Sequence, residues 1–160
     1  MSKKEKKQLL FICLGNICRS PAAHAVMQKM VDDAHLSSCF EIDSAGIGSW
    51  HVGQLPDRRM RAAGAKRGYD ISHVVRQFDA RHDFDRFTYI IVMDDDNYYD
   101  ITQQATDDDQ RAKVLRMKDY FVEHQGQSSV PDPYYGDSSA FEWALDLIED
   151  GCRGLLEYLL

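Results

Sequence analysis

Residues 9–21 read LLFICLGNICRSP, an apolar run that breaks into a turn holding two cysteines and an arginine. Leu9 to Cys13 has the unbroken apolar character of a buried strand. Ser20-Pro21 is a helix start, with Ser as N-cap and Pro at the first helical position, where its missing amide hydrogen costs nothing. Beyond it, Ala22, Val26, Met27, Met30 and Val31 recur on one helical face. Cys13 to Arg19 is therefore expected to join the carboxyl end of a central strand to the N-terminus of a helix. Open α/β sheets bind ligands at such a turn, and its free N–H groups and helix dipole favour an anion.

The residue types in the turn suit a phosphoryl group. Gly15 lets the backbone curl close to it, Asn16 is expected to hold the curl, and Arg19 offers a planar fork of donors for two oxygens. The backbone of Leu14, Gly15, Asn16, Ile17, Cys18 and Ser20 supplies further contacts. The turn lacks the second Gly and the Lys of a nucleotide-binding P-loop. Instead, Cys13 stands at its mouth. A thiol at a helix N-terminus beside a guanidinium ionises more readily than a free one, which makes it a nucleophile. Ser20 is placed to donate a hydrogen bond to that thiolate. Cys18 either packs beneath the loop or, as a neighbouring thiol, traps an oxidised Cys13 as a disulfide.

Other readings of the opening residues fail. MSKKEKKQ is Lys-rich and precedes an apolar stretch, but Leu9 to Leu14 falls short of the roughly 7 to 15 residues of a signal-peptide core. Asn16 and Arg19 interrupt it before any small-residue cleavage site. Nothing approaches the roughly 18 apolar residues of a membrane span, so a cytoplasmic protein without membrane insertion is expected. The net charge of −7 argues against nucleic acid as a partner. The four cysteines, at 13, 18, 39 and 152, form neither a dense disulfide framework nor a structural zinc spacing.

Strand-like and helical patterns alternate along the rest of the chain. Phe40 to Asp43 is a weak strand, followed by a Gly-rich loop from Ala45 to Gly53 and a helix starting near Pro56. Phe87 to Met93 (FTYIIVM) is the clearest further strand, and Ala112 to Leu115 a short one. A last helix opens on a capping box, Ser139 to Glu142, with an apolar stripe of Trp143, Leu147, Leu155, Leu156 and Leu159. Gly151 and Gly154 weaken it. The Asp107-Asp108-Asp109 run reads as a solvated loop. The expectation is one α/β domain over residues 1–160, with a mainly parallel sheet, helices on both faces and a flexible Lys-rich tail at residues 1–7.

The string CLGNICRSP resembles the signature loop of low-molecular-weight protein tyrosine phosphatases, and the resemblance extends over nearly the whole chain. Asp132-Pro133-Tyr134-Tyr135-Gly136 matches that family's DPY motif, and Asp43-Ser44-Ala45-Gly46 its DSAG segment. Trp50 in WHVGQLPD, His73 in SHVVRQF and Met93 to Asn97 match further positions. The resemblance implies a four-stranded parallel sheet with the phosphate-binding loop between first strand and first helix. It implies metal-free, cofactor-free hydrolysis of phosphotyrosine in proteins through a phosphocysteine, with phosphate and other oxyanions as inhibitors. Cys13 is then the nucleophile, Arg19 the phosphoryl clamp and Asp132 the general acid. Trp50, Tyr134 and Tyr135 form the rim around the aromatic ring, and Ser44 and His73 support Asn16.

Three alternatives differ in chemistry. An arsenate reductase shares the loop but passes a disulfide outward through further cysteines, and Cys39 and Cys152 do not match that pattern. A dithiol redox protein using Cys13 and Cys18 leaves Arg19 and Asp132 unexplained. A catalytically silent phosphate-binding module needs the cradle without the acid.

Overall fold

The computed structural model describes residues 6–160. Four parallel strands, β1 (Lys7–Cys13), β2 (Phe40–Gly46), β3 (Tyr89–Val92) and β4 (Val114–Arg116), form one sheet in the order β2-β1-β3-β4. Between and after them lie α1 (Arg19–Asp33), α2 (Arg58–Lys66), α3 (Ala80–Arg86), α4 (Asp95–Thr102), α5 (Asp108–Ala112) and α6 (Ser138–Leu159). From β1 the chain crosses to β2 on one side, then returns to β3 on the other. The crevice between the carboxyl ends of β1 and β3 is the topological switch point of the sheet.

The alternation of side chains along β1 explains its unbroken apolar run. Leu9, Phe11 and Cys13 face a core built with α1, α2 and α6, while Leu10 and Ile12 face a second core with Phe84 of α3 and Ile101 of α4. From Leu9 onward both faces of the strand are covered, so no polar residue follows Lys7 and Gln8 in it.

Several boundaries differ from those read in the sequence. Lys7, expected in a flexible tail, pairs with Phe40 as the first residue of β1, while residues 1–5 lie outside the described residues. β2 runs through Gly46, taking in Ala45 and Gly46 from the expected loop. β3 starts at Tyr89, because Phe87 closes α3. Asp107 caps α5, so the acidic run is an exposed helix start rather than a loop. Asp137, not Ser139, caps α6 by accepting from the N–H groups of Ser139 and Ala140. Trp143 sits off the apolar stripe, half exposed. The two glycines that weaken α6 have a packing reason: a Cβ at Gly151 would strike the Met117 side chain, and one at Gly154 the carbonyl of Tyr120.

Candidate active site

β1 ends at Cys13, and the chain then turns through Leu14 to Cys18 before α1 begins at Arg19. Ser20 does not cap α1, as the sequence suggested; it lies inside the first turn, and Cys18 occupies the cap position without a side-chain bond. The Ser20 hydroxyl is thereby free to face the nucleophile position, with Oγ 3.0 Å from Cys13 Sγ. Both residues are buried.

Asn16 adopts the left-handed backbone conformation, φ 57°, and its buried side chain acts as a four-way tie. Nδ2 donates to Ser20 Oγ (2.8 Å) and Ser44 Oγ (3.1 Å). Oδ1 accepts from the Arg76 N–H (3.1 Å) and lies 3.2 Å from His73 Nε2. Ser44 and His73 thus stand around Asn16, as the resemblance implied. The loop carbonyls are drawn outward: that of Cys13 accepts from Ile47, that of Leu14 from Gly48 and that of Ile17 from Asp57. The N–H groups of Leu14 to Cys18 donate to no protein acceptor among the described residues. Gly46 makes room for this loop, since a Cβ there would come within 2.9 Å of the Gly15 carbonyl carbon and 3.0 Å of the Asn16 nitrogen.

Arg19 is buried and fixed by one nitrogen. Its Nη1 donates to Asp94 Oδ2 (2.6 Å) and to the Val130 carbonyl (2.9 Å), while Nη2 lies 3.9 Å from Asp132 Oδ2. Burial opposes the guanidinium charge, but Cys13, Asp94 and Asp132 together outweigh it and hold the pKa above its ordinary value. Asp94 also caps α4, its Oδ1 accepting from the Asn97 N–H at 2.7 Å. The Val130 N–H donates to the Met93 carbonyl at 2.9 Å, which ties the loop carrying Asp132 to the end of β3. Asp132 itself is partly exposed and accepts from the Tyr134 N–H at 3.1 Å.

These elements enclose a cleft of about 290 Å³ lined by Cys13, Leu14, Gly15, Ile17, Cys18, Arg19, Trp50, His51, Asp132, Tyr134 and Tyr135. Asn16, Ser20, Ser44 and His73 stand behind the loop. The rim is open: Trp50 is 67% and Tyr135 94% exposed, and the rings of Tyr134 and Tyr135 meet edge to face at 4.9 Å. Burial pushes the Cys18 thiol pKa well up, with Asp57, Cys13 and Asp132 adding to the effect. All four cysteines are unpaired. Two further imidazoles were not singled out in the sequence. His51 lines the cleft beside Trp50, and His24 lies 3.3 Å from Ser44 Oγ through Nδ1. Burial, then the neighbouring His73, lowers the pKa of His24 to about 4, and burial also lowers that of His73. Asp94 could have been found from its cap position after an apolar strand; its bond to Arg19 could not.

The sequence profile of the family described as Low molecular weight phosphotyrosine protein phosphatase matches residues 8–160. The human protein of that description is 37% identical over 158 residues, covering 98% of each chain. A low molecular weight protein-tyrosine-phosphatase of Streptomyces coelicolor is 39% identical over 150 residues, 93% of this chain and 91% of the relative. The crystal structure of a protein tyrosine phosphatase from Entamoeba histolytica with Hepes in the active site superposes with a TM-score of 0.92 at 42% identity, covering 96% of this chain and 97% of that one.

Proposed function

The chain belongs to the low molecular weight phosphotyrosine protein phosphatase family, and from that premise we infer that it hydrolyses phosphotyrosine and small aryl phosphates through a phosphocysteine at Cys13. The observation that carries this reading is Cys13 Sγ on the cleft floor, 3.0 Å from the Ser20 hydroxyl and beneath a loop of unengaged N–H groups.

The steps follow from the donors available. The phosphoryl oxygens take the N–H groups of Leu14 to Cys18 and the Nε and Nη2 donors of Arg19, because Nη1 is already committed to Asp94 and Val130. The Cys13 thiolate attacks phosphorus in line, and the bond to the tyrosyl oxygen breaks as Asp132 delivers its proton there. The ionised Asp132 then takes a proton from water, whose oxygen attacks the phosphocysteine. Inorganic phosphate departs, and the thiolate returns with the Ser20 hydroxyl donating to it. Fixed donors stabilise the equatorial oxygens throughout, so the positive field comes from the protein. Trp50, Tyr134 and Tyr135 at the rim suit a flat ring, and the depth of the cleft disfavours the short ester of phosphoserine.

The substrate we propose is therefore phosphotyrosine in a protein, with phosphate and related oxyanions as inhibitors. The four free thiols support a reducing, cytoplasmic compartment. No helix among the described residues is long and apolar enough to cross a membrane. An arsenate reductase is disfavoured by position. Cys152 is buried between α6 and α1, and Cys39 precedes β2 at the end of the sheet opposite Cys13.

The test is hydrolysis of p-nitrophenyl phosphate and of matched phosphotyrosine and phosphoserine peptides, in reductant and chelator. Turnover of the aryl phosphate and the phosphotyrosine peptide, lost in Cys13→Ser, is the expected result. Cys13→Ser activity near that of the wild type would remove the nucleophile from the mechanism, and an inert wild type would leave only a phosphate-binding module.

A further inference from the structure

Behind the phosphate loop, on the face away from the cleft, His24 of α1, Asp43 of β2 and His73 of the segment after α2 bring one ligand atom each to within 4.8 Å of one another. We propose that these three side chains form a binding site for a zinc-class divalent cation, separate from the catalytic cleft and joined to it through Asn16.

The hydrogen-bond pattern leaves an imidazole nitrogen and a carboxylate oxygen facing each other. Asn16 Oδ1 accepts from the Arg76 N–H, which fixes the amide orientation, so His73 Nε2 must be the protonated nitrogen that donates to it. The Nδ1 of the same ring faces Asp43 Oδ1 at 3.6 Å, beyond hydrogen-bond distance. Arg76 Nε engages the other carboxylate oxygen, Oδ2, at 3.0 Å and leaves Oδ1 pointing at the imidazole, with only the Ser44 N–H bonded to it. His24 completes the set, its ring meeting that of His73 at 5.0 Å between centroids.

Two imidazoles and a carboxylate are the donor set of open zinc sites, with the fourth position left for water. Metal–ligand distances of about 2.0–2.2 Å in a tetrahedron require ligand atoms about 3.3–3.6 Å apart. The ligand atoms now lie within 4.8 Å of one another, so ligation draws them together by about an ångström. An open cleft of about 490 Å³ reaches His24 and His73 from solvent, with Asp32, Asp70 and the Lys29–Asp33 pair along its walls, which gives a cation an entry path. Ligation at His73 Nδ1 fixes the Nε2–H tautomer and strengthens its bond to Asn16, so occupancy stiffens the loop that cradles phosphate.

The test separates this site from the cysteines by using Cys13→Ser protein and Co²⁺ as a spectroscopic probe, with Zn²⁺ in competition. Visible d–d bands that saturate at one Co²⁺ per chain, with no thiolate charge-transfer band in the near ultraviolet, are expected, as is a Zn²⁺-dependent rise in Tm. Adding His24→Ala should weaken binding by roughly 10- to 100-fold, with the circular dichroism spectrum unchanged. As a check that needs no histidine substitution, Zn²⁺ should move the imidazole ¹⁵N resonances of His24 and His73 and leave those of the other four histidines in place. A thiolate band, binding unaffected by His24→Ala, resonance shifts at other histidines, or no binding at millimolar metal would each overturn the proposal.

Discussion

Asp94 and Arg19 meet through a single 2.6 Å bond, Oδ2 to Nη1, while the other oxygen of the same carboxylate caps α4. The guanidinium is therefore aimed by a group anchored to the end of β3, and its two remaining edges stay open to substrate. Asp94→Asn keeps an oxygen for the helix cap but removes the charge that aims Arg19. It should lower kcat by about 10-fold, because a small misplacement of a clamp is felt most in the transition state. Inhibition by phosphate, a measure of ground-state binding, should weaken by less than about threefold. Steady-state kinetics with phosphate as competitor checks this; equal losses in both would make Asp94 a simple binding residue.

Asp132 lies close enough to Arg19 to be oriented by it, yet its partly exposed carboxyl can reach a leaving oxygen at the cleft mouth. Asp132→Ala should slow cleavage of phenyl phosphate by roughly 10²- to 10⁴-fold and of aryl phosphates with acidic leaving groups by much less. A plot of rate against leaving-group pKa should steepen in the variant. An unchanged slope would assign the proton to another donor.

Gly46 carries no chemistry of its own, but the loop passes directly over it. Gly46→Ala should displace Gly15 and Asn16 by a few tenths of an ångström and reduce kcat/KM by about 10- to 100-fold. The sheet should survive, with a fall in stability of about 1–3 kcal/mol from overpacking. Denaturant unfolding read alongside kinetics separates the two; a loss of stability without loss of rate would show that the loop tolerates the shift.

Asp150 is buried in α6 and accepts from the N–H groups of Val122, Glu123 and His124 and from the His124 ring. Burial alone would raise its pKa, but these donors outweigh it and hold the carboxyl below its ordinary range. A depressed carboxyl pKa stabilises the fold above the unfolded value, near pH 4, and the contribution is lost as pH falls through the folded value. Asp150→Asn should therefore cost about 2–3 kcal/mol at pH 7 by opposing an amide to backbone donors. It should also flatten the stability profile below pH 4. Urea melts between pH 3 and pH 7 provide the comparison.

The strand β1, the turn after it and the cysteine-arginine pair were legible because strand burial, helix entry and anion chemistry all act within a few residues of one another. Helix ends were less so. Ser20 has the chemistry of a cap, but its hydroxyl is taken by Asn16 and Cys13, partners fixed only once the loop is folded. Gly151 and Gly154 read as helix breakers because the turn that packs against them is distant in sequence. The long-range ties, Asp94 to Arg19, Val130 to Met93 and Arg76 to Asn16, span dozens of residues and have no local pattern. Cys13 was visible, then, and the family resemblance pointed to Ser44 and His73 around Asn16, but the Asp94 and Val130 bonds that fix Arg19 were not visible.

The ladder on both sides of β1 also sets a hierarchy of opening. Its amides are bonded between β2 and β3 and buried on both faces, so their hydrogens exchange with solvent only when the whole molecule unfolds. The rings of Trp50 and Tyr135 at the rim are exposed, and the segment around Tyr135 has few backbone bonds and opens through small local excursions. The nucleophile is thus mounted on the part of the chain that lets go last, and the Tyr135 wall on a part that lets go first. A ring can be admitted and a phosphate released by movement of that wall while the floor keeps its registration.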